Sequence, residues 1–170
     1  MKRCALLLSM VLALIASGCG VPTSLSKEER AFEAAYANDA GGLERLFKQG
    51  VSPNATNEVG ESLLHVATGP KGGIAVVRTL LKAGADANRG QGSYTPLMNA
   101  SSWVDLDSVT LLLAAGADPL LKNGDGQTAL ETTGQAGGRE SAVKERIRLA
   151  QHSAARAVTG APPPVPSSAH

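Results

Sequence analysis

The chain has 170 residues, enough for one domain beside a leader and a tail, and its 16 Lys and Arg nearly balance 15 Asp and Glu to leave a formal net charge of +1. A protein that tracks phosphates needs a cation surplus on one face, so this balance sets nucleic acid aside as a partner. Aromatic residues make up only 3% and glycine is frequent at 19 residues, which suits short, closely packed helices better than a β-sandwich.

The first element is a leader. Lys2 and Arg3 precede a run from Ala5 to Ile15 that is apolar except for Ser9, the charged and hydrophobic regions of a secretory signal. The run is shorter than the roughly twenty apolar residues that span a bilayer. It ends at Ala16-Ser17-Gly18-Cys19, which resembles the lipobox of bacterial lipoproteins, with Ala16 where Leu is commoner. By that resemblance residues 1–18 are a signal peptide cut after Gly18, and Cys19 carries a thioether-linked diacylglycerol and an acylated (palmitate-type) amino group. Several lipid chains on one residue meet the requirement for stable anchoring, which a single chain does not. An ordinary signal peptide cut nearby and an uncleaved anchor remain open, and both place the domain outside the cytoplasm. Gly20 stands where Asp would resemble an inner-membrane retention signal, so the expectation is an outer-membrane lipoprotein facing the periplasm. With Cys4 removed and Cys19 lipidated, the mature chain is expected to have no disulfide, no Cys nucleophile and no thiolate metal site. Residues 19–27 read as a linker.

Internal repetition begins after it. Gly60-Glu61-Ser62-Leu63-Leu64-His65-Val66-Ala67, Ser93-Tyr94-Thr95-Pro96-Leu97-Met98-Asn99-Ala100 and Gly126-Gln127-Thr128-Ala129-Leu130-Glu131-Thr132-Thr133 align with Ser62, Thr95 and Thr128 at intervals of 33. A second landmark, Val76-Val77-Arg78-Thr79-Leu80-Leu81-Lys82-Ala83-Gly84-Ala85-Asp86-Ala87-Asn88, recurs as Ser108-Val109-Thr110-Leu111-Leu112-Leu113-Ala114-Ala115-Gly116-Ala117-Asp118. A diverged copy closes at Leu46-Phe47-Lys48-Gln49-Gly50-Val51-Ser52-Pro53-Asn54. These residues resemble the ankyrin repeat, with its Thr-Pro-Leu-His opening, its paired-Leu second helix and its closing Gly-Ala-Asp-x-Asn. The fold implied is an all-α solenoid over residues 28–150, of about four helix-turn-helix repeats joined by short β-hairpin loops.

Each landmark has a physical role. Ser62, Thr95 and Thr128 are placed to cap first helices, and Pro96 suits the first helical position. Val76, Val77, Leu80 and Leu81, like Val109, Leu112 and Leu113, recur at helical spacing for burial. Gly50, Gly84 and Gly116 are predicted to end second helices in the left-handed conformation. The first unit, with Lys27-Glu28-Glu29-Arg30, reads as an N-terminal cap and the charged stretch Lys144–Arg148 as part of a C-terminal one. In the second unit a helix must stop before Pro70, in a loop that is one residue longer than its counterpart and open to a contact role. Residues 151–170, rich in Ala, Ser and Pro with Pro162-Pro163-Pro164-Val165-Pro166, read as a disordered tail, with a proline-motif ligand as the other reading.

Chemistry-bearing candidates do not assemble into a catalytic centre. Gly124-Asp125-Gly126-Gln127-Thr128-Ala129 matches the dinucleotide-binding glycine pattern but lacks the strand and βαβ context that motif needs. His65 matches the family's helix-opening His, whose ring by that resemblance bonds backbone at a repeat junction. His152 and His170 lie in or beside the tail, and no metal set can be composed. Asp86 and Asp118 recur with the repeat, which explains them better than paired-carboxylate catalysis does. The expectation is therefore no enzyme, no cofactor, no metal and no small-molecule substrate, in a monomer that binds another protein. In the ankyrin family partners meet the hairpin tips and the exposed side of the first helices. Carried over by position, these are Glu58, Val59 and Glu61, then Gln91 and Tyr94, then Asp125 and Gln127, with Ser102 and Trp103 from the third first helix. Tyr94 and Trp103 stand out as rigid rings of the kind that dominate interfaces, although Trp103 also fits local packing over the helix-helix loop. Within protein binding, an immunity or inhibitor protein neutralising a secreted toxin and a chaperone for an envelope enzyme are the sharper alternatives.

Overall fold

The computed structural model describes residues 25–70, 73–134 and 139–159, so the leader with Cys19 lies outside the described residues. Within them the chain is helical, seven helices with isolated β-bridges in place of strands. It forms the all-α repeat solenoid that the 33-residue period implies.

Five of the seven described helices start where a side chain satisfies orphan amides, and the one that opens after Gly73 has no side-chain cap. α1 (Lys27–Tyr36) opens with a reciprocal box in which the Glu29 amide donates to Ser26 Oγ at 3.0 Å and the Ser26 amide donates to the Glu29 carboxylate at 2.6 Å. Ser26 and Lys27 therefore belong to the domain rather than to the linker. α2 (Ala40–Lys48) is capped by Asp39, which accepts from the Gly42 amide at 2.8 Å. α3 (Leu63–Ala67) and α5 (Pro96–Ser102) are capped by Ser62 and Thr95, as the landmark predicts. α4 is Ile74–Lys82, and α6 (Leu106–Ala114) is capped by Asp105. α7 runs Arg139–Thr159.

These helices make two layers. α1, α3 and α5 pack side by side, each also against its own second helix, while α2, α4, α6 and α7 form the other row. The substantial contacts are between neighbours, so the core is a continuous seam rather than a centre. Leu43, Leu63, Leu64, Leu80, Leu97, Met98 and Leu112 fill it, and Val143 and Ile147 of α7 close its C-terminal end. Gly50, Gly84 and Gly116 leave their helices at φ of 93°, 88° and 89°, as expected. The two asparagines of the closing motif then join units. Asn54 accepts from the Asp86 amide at 2.7 Å and donates to Gly84 O at 3.2 Å, and Asn88 repeats this on Asp118 at 2.8 Å and Gly116 at 3.4 Å.

Two expectations need correction. Thr128 does not cap a fourth first helix: its amide and its hydroxyl both donate to the Glu131 carboxylate, and the segment makes turns only. Thr132 and Thr133 hydroxyls then take up Ala129 O, so local side chains satisfy the backbone group that further helix would have used. The tail reading also begins too early. α7 continues through residues 151–159, held by the Gln151 amide group donating to Pro119 O at 3.1 Å and by the Ala content that favours helix. Residues 160–170, with the proline run, lie outside the described residues.

Candidate protein-binding surface

Three tight turns project between the units. In the first, Thr56 and Ser62 bridge, and the Asn57 side chain holds the bend by accepting from the amides of Val59 at 3.2 Å and Glu61 at 2.9 Å. Its own amide group donates to the Glu61 carboxylate at 2.8 Å, and Gly60 takes the positive φ of 80°. The third turn is built the same way: Asn123 accepts from Asp125 and Gln127 amides at 3.0 and 2.9 Å, with Gly126 at φ 76°. The Gly-rich run resembling a nucleotide motif is thus a hairpin tip. The middle turn has Gly90 where the others have Asn. Gln91 and Tyr94 exchange backbone hydrogen bonds at 3.0 Å in both directions, and a Cβ on Gly90 would stand 1.8 Å from Tyr94 O.

The tips sit in one row. The Gln91 side chain donates to Val59 O at 3.3 Å across the first pair, and Gly124 faces the Ser93 hydroxyl across the second. Glu58, Val59, Gln91, Asp125 and Gln127 are exposed on this row, and Glu61 and Tyr94 are half-buried. Tyr94 lies edge-on to His65, ring centres 6.1 Å apart at 78°. Ser102 and Trp103 are not part of the row. They end α5 at the opposite end from Tyr94; the Ser102 hydroxyl is turned back onto Asn99 O at 2.8 Å. Trp103, 55% exposed, borders a separate hollow with Val104 and Asp105 of the helix-helix loop, Asp107 and Arg139. The turn it occupies is strained, with the β-branched Val104 at φ 56° where the equivalent turn of the first unit has Asn38 at the same angle.

His65 does not use its ring as the resemblance implies. Its Nδ1 is buried without a hydrogen-bond partner, and the junction is made instead by its backbone carbonyl, which accepts from the Asn99 amide group at 2.9 Å. Burial lowers the imidazole's pKa, with the Glu61 carboxylate pulling weakly the other way. Tyr36 donates to that same carboxylate at 3.5 Å, and burial, then the Glu61 charge, raise its phenol's pKa. Leu25, Phe32 and Tyr36 of the first unit, absent from the predicted site, line a hollow with the first hairpin. They belong to the diverged copy, which carries the closing landmark at Gly50–Asn54 but no helix-opening landmark that would place its first helix. Among the described residues no cluster of His, Cys, Asp and Glu is arranged to hold a metal, and no helix is long and apolar enough to cross a membrane.

Comparison with known proteins agrees with this geometry. The ankyrin-repeat family, in three copies, matches residues 31–123. XBAT34 of Arabidopsis thaliana is 32% identical over 115 residues, 66% of this chain and 31% of that protein. XBOS34 of Oryza sativa subsp. japonica is 34% identical over 115 residues, 66% of this chain and 22% of that protein. The hecd-1 protein of Caenorhabditis elegans is 40% identical over 81 residues, 48% of this chain and 3% of that protein. All three carry E3 ubiquitin-protein ligase names, and this chain spans less than a third of the length of each. Ankyrin repeats are a protein-interaction fold without catalytic machinery of their own, and from its family match and its two-layer array the chain belongs to the ankyrin-repeat family.

Proposed function

We propose that the protein is a lipid-anchored binding module of a bacterial cell envelope, held at the outer membrane through Cys19 and presenting its hairpin row to another protein in the periplasm. The observation that carries the binding half is the row itself: Glu58, Val59, Gln91, Asp125 and Gln127 are exposed side by side on turns locked by Asn57, Asn123 and the Gln91–Tyr94 pair. Rigid turns lose little entropy on binding, which is how a short array gains affinity. The anchoring half rests on Ala16-Ser17-Gly18-Cys19 after an apolar run. Ligase chemistry is left with the relatives, since the shared stretch is a minor part of each.

Two measurements test this. The full chain, expressed with an alkyne-tagged palmitate, is expected to take up label and to lose it in Cys19→Ser; equal labelling of the variant would end the lipobox reading. Affinity capture from envelope extract with Val59→Ser/Gln91→Ala beside the wild type is expected to lose the specific partner. A partner retained by that variant but lost by Trp103→Ala would move the interface to the other end of α5.

A further inference from the structure

A hollow of about 650 Å3 opens between α1 and the first hairpin. Leu25, Tyr36 and Val59 line it while remaining 49%, 48% and 66% exposed. A single exposed apolar residue is ordinary, but three around one concavity of ligand-sized volume are the composition of a docking pocket. Glu28, Glu29, Glu33 and Glu58 share the lining, and among the described residues no Lys or Arg does. The ion pairs among the described residues are Arg45–Asp39 and Lys144–Glu140, so none of these four carboxylates is neutralised by a cation. Only Glu29 is otherwise engaged, through the Ser26 amide. Glu61 adds a fifth negative charge beside the hollow, bonded to Tyr36. The neighbouring hollows differ: the one between α1 and α2 sets Arg30 and Arg45 against Glu33 and Asp39, and the one beside Trp103 sets Arg139 against Asp105 and Asp107. Charge is balanced in the first and one negative in excess in the second, whereas here four negatives face no cation.

We infer that this hollow seats a basic segment of the protein partner, with an apolar side chain of that segment entering between Leu25, Tyr36 and Val59 and flanking Arg or Lys residues meeting Glu28, Glu33 and Glu58. The assignment rests on the hairpin row being a docking surface and names the chemistry at its N-terminal end. Crowded carboxylates repel one another until a partner's cations arrive, which gives both orientation and a salt-dependent on-rate.

The test uses the full chain and a fluorescein-labelled peptide of alternating Arg and Leu, followed by fluorescence anisotropy. Saturable binding is expected, with none for the matching Glu-Leu peptide. Glu28→Gln/Glu33→Gln/Glu58→Gln is expected to raise Kd by about tenfold or more, and Val59→Ser by about threefold. Glu44→Gln/Glu145→Gln, of equal chemistry but elsewhere, is expected to leave Kd unchanged, and circular dichroism of each variant checks its fold. No saturable binding, equal affinity of the triple variant, or an equal loss in the control pair would overturn the inference. So would self-association of the chain that consumes the hollow, seen by sedimentation. Amide shifts on titration separate the two proposals. Perturbation confined to residues 91–94 and 123–127 would overturn the basic pocket and leave the hairpin row standing, whereas none in the row or the hollow would sink both.

Discussion

Asn54 and Asn88 show how little of a repeat's closing motif is decoration. Each uses its carbonyl oxygen and its amide group on the next unit, at an amide of Asp and a carbonyl of Gly, so one side chain serves two otherwise unpaired backbone groups. Asn88→Ala should therefore cost about 1–2 kcal/mol in urea unfolding, with Asn54→Ala similar. Leu120 holds the equivalent place in the third unit, 42% exposed with no further Gly-Ala-Asp beyond it, and Leu120→Asn should leave the midpoint unchanged. His65 gives a pH dependence. Its folded-state pKa lies below the ordinary imidazole value, so the unfolded chain takes the proton more readily. Stability is full above about pH 6.5 and falls as the pH drops from there toward the folded-state value. Urea midpoints at pH 7.5 and 5.5 should differ in the wild type and differ less in His65→Gln; an equal drop in both would assign the acid sensitivity elsewhere.

At the level of elements, capping chemistry decided what the period alone left undecided. Ser62 and Thr95 were legible as caps because an acceptor hydroxyl stands before apolar residues at the right spacing, and both accept as expected from His65 and Met98 amides. Thr128 occupies the same register, yet Glu131 three residues on captures its hydroxyl as well as its amide, a competition that register does not reveal. The run of α7 past Ala150 was hidden by composition: Ala-Ser-rich sequence before prolines reads as tail, while Ala is also the strongest helix former. The hairpin tips were placed by position through the ankyrin resemblance, whereas the hollow against α1 was not legible, because Leu25 and Tyr36 carry no repeat signal. Gly134 is the fastening of the irregular fourth unit. Its amide donates to Ser101 O at 3.2 Å, and a Cβ there would lie 2.1 Å from Ser102 O. Gly134→Ala should push the segment off the end of α5 and lower stability by more than about 1 kcal/mol, measurable as a shifted thermal midpoint. An unchanged midpoint would mean the segment yields without loss.

Across the whole molecule, stability is a chain of neighbour contacts, and α7 stands where the last second helix of the array would stand. It packs on α6, and its fully buried Val143 and Ile147 cover the side of the seam that the next unit would otherwise occupy. Ile147→Ala removes fully buried atoms from the packing of α7 on α6, so a cost of about 2–4 kcal/mol is expected. In a linear array that loss should not spread evenly. Amide hydrogen exchange should quicken in α7 and α6, partly in α5, and hardly at all in α1 and α2, which share no interface with the altered side chain. The matching change at the other end, Leu43→Ala in α2, should reverse the gradient. Uniform acceleration in both variants would show instead that the short array unfolds as one cooperative unit, with the hairpin row held rigid by the entire stack rather than by the units flanking each turn.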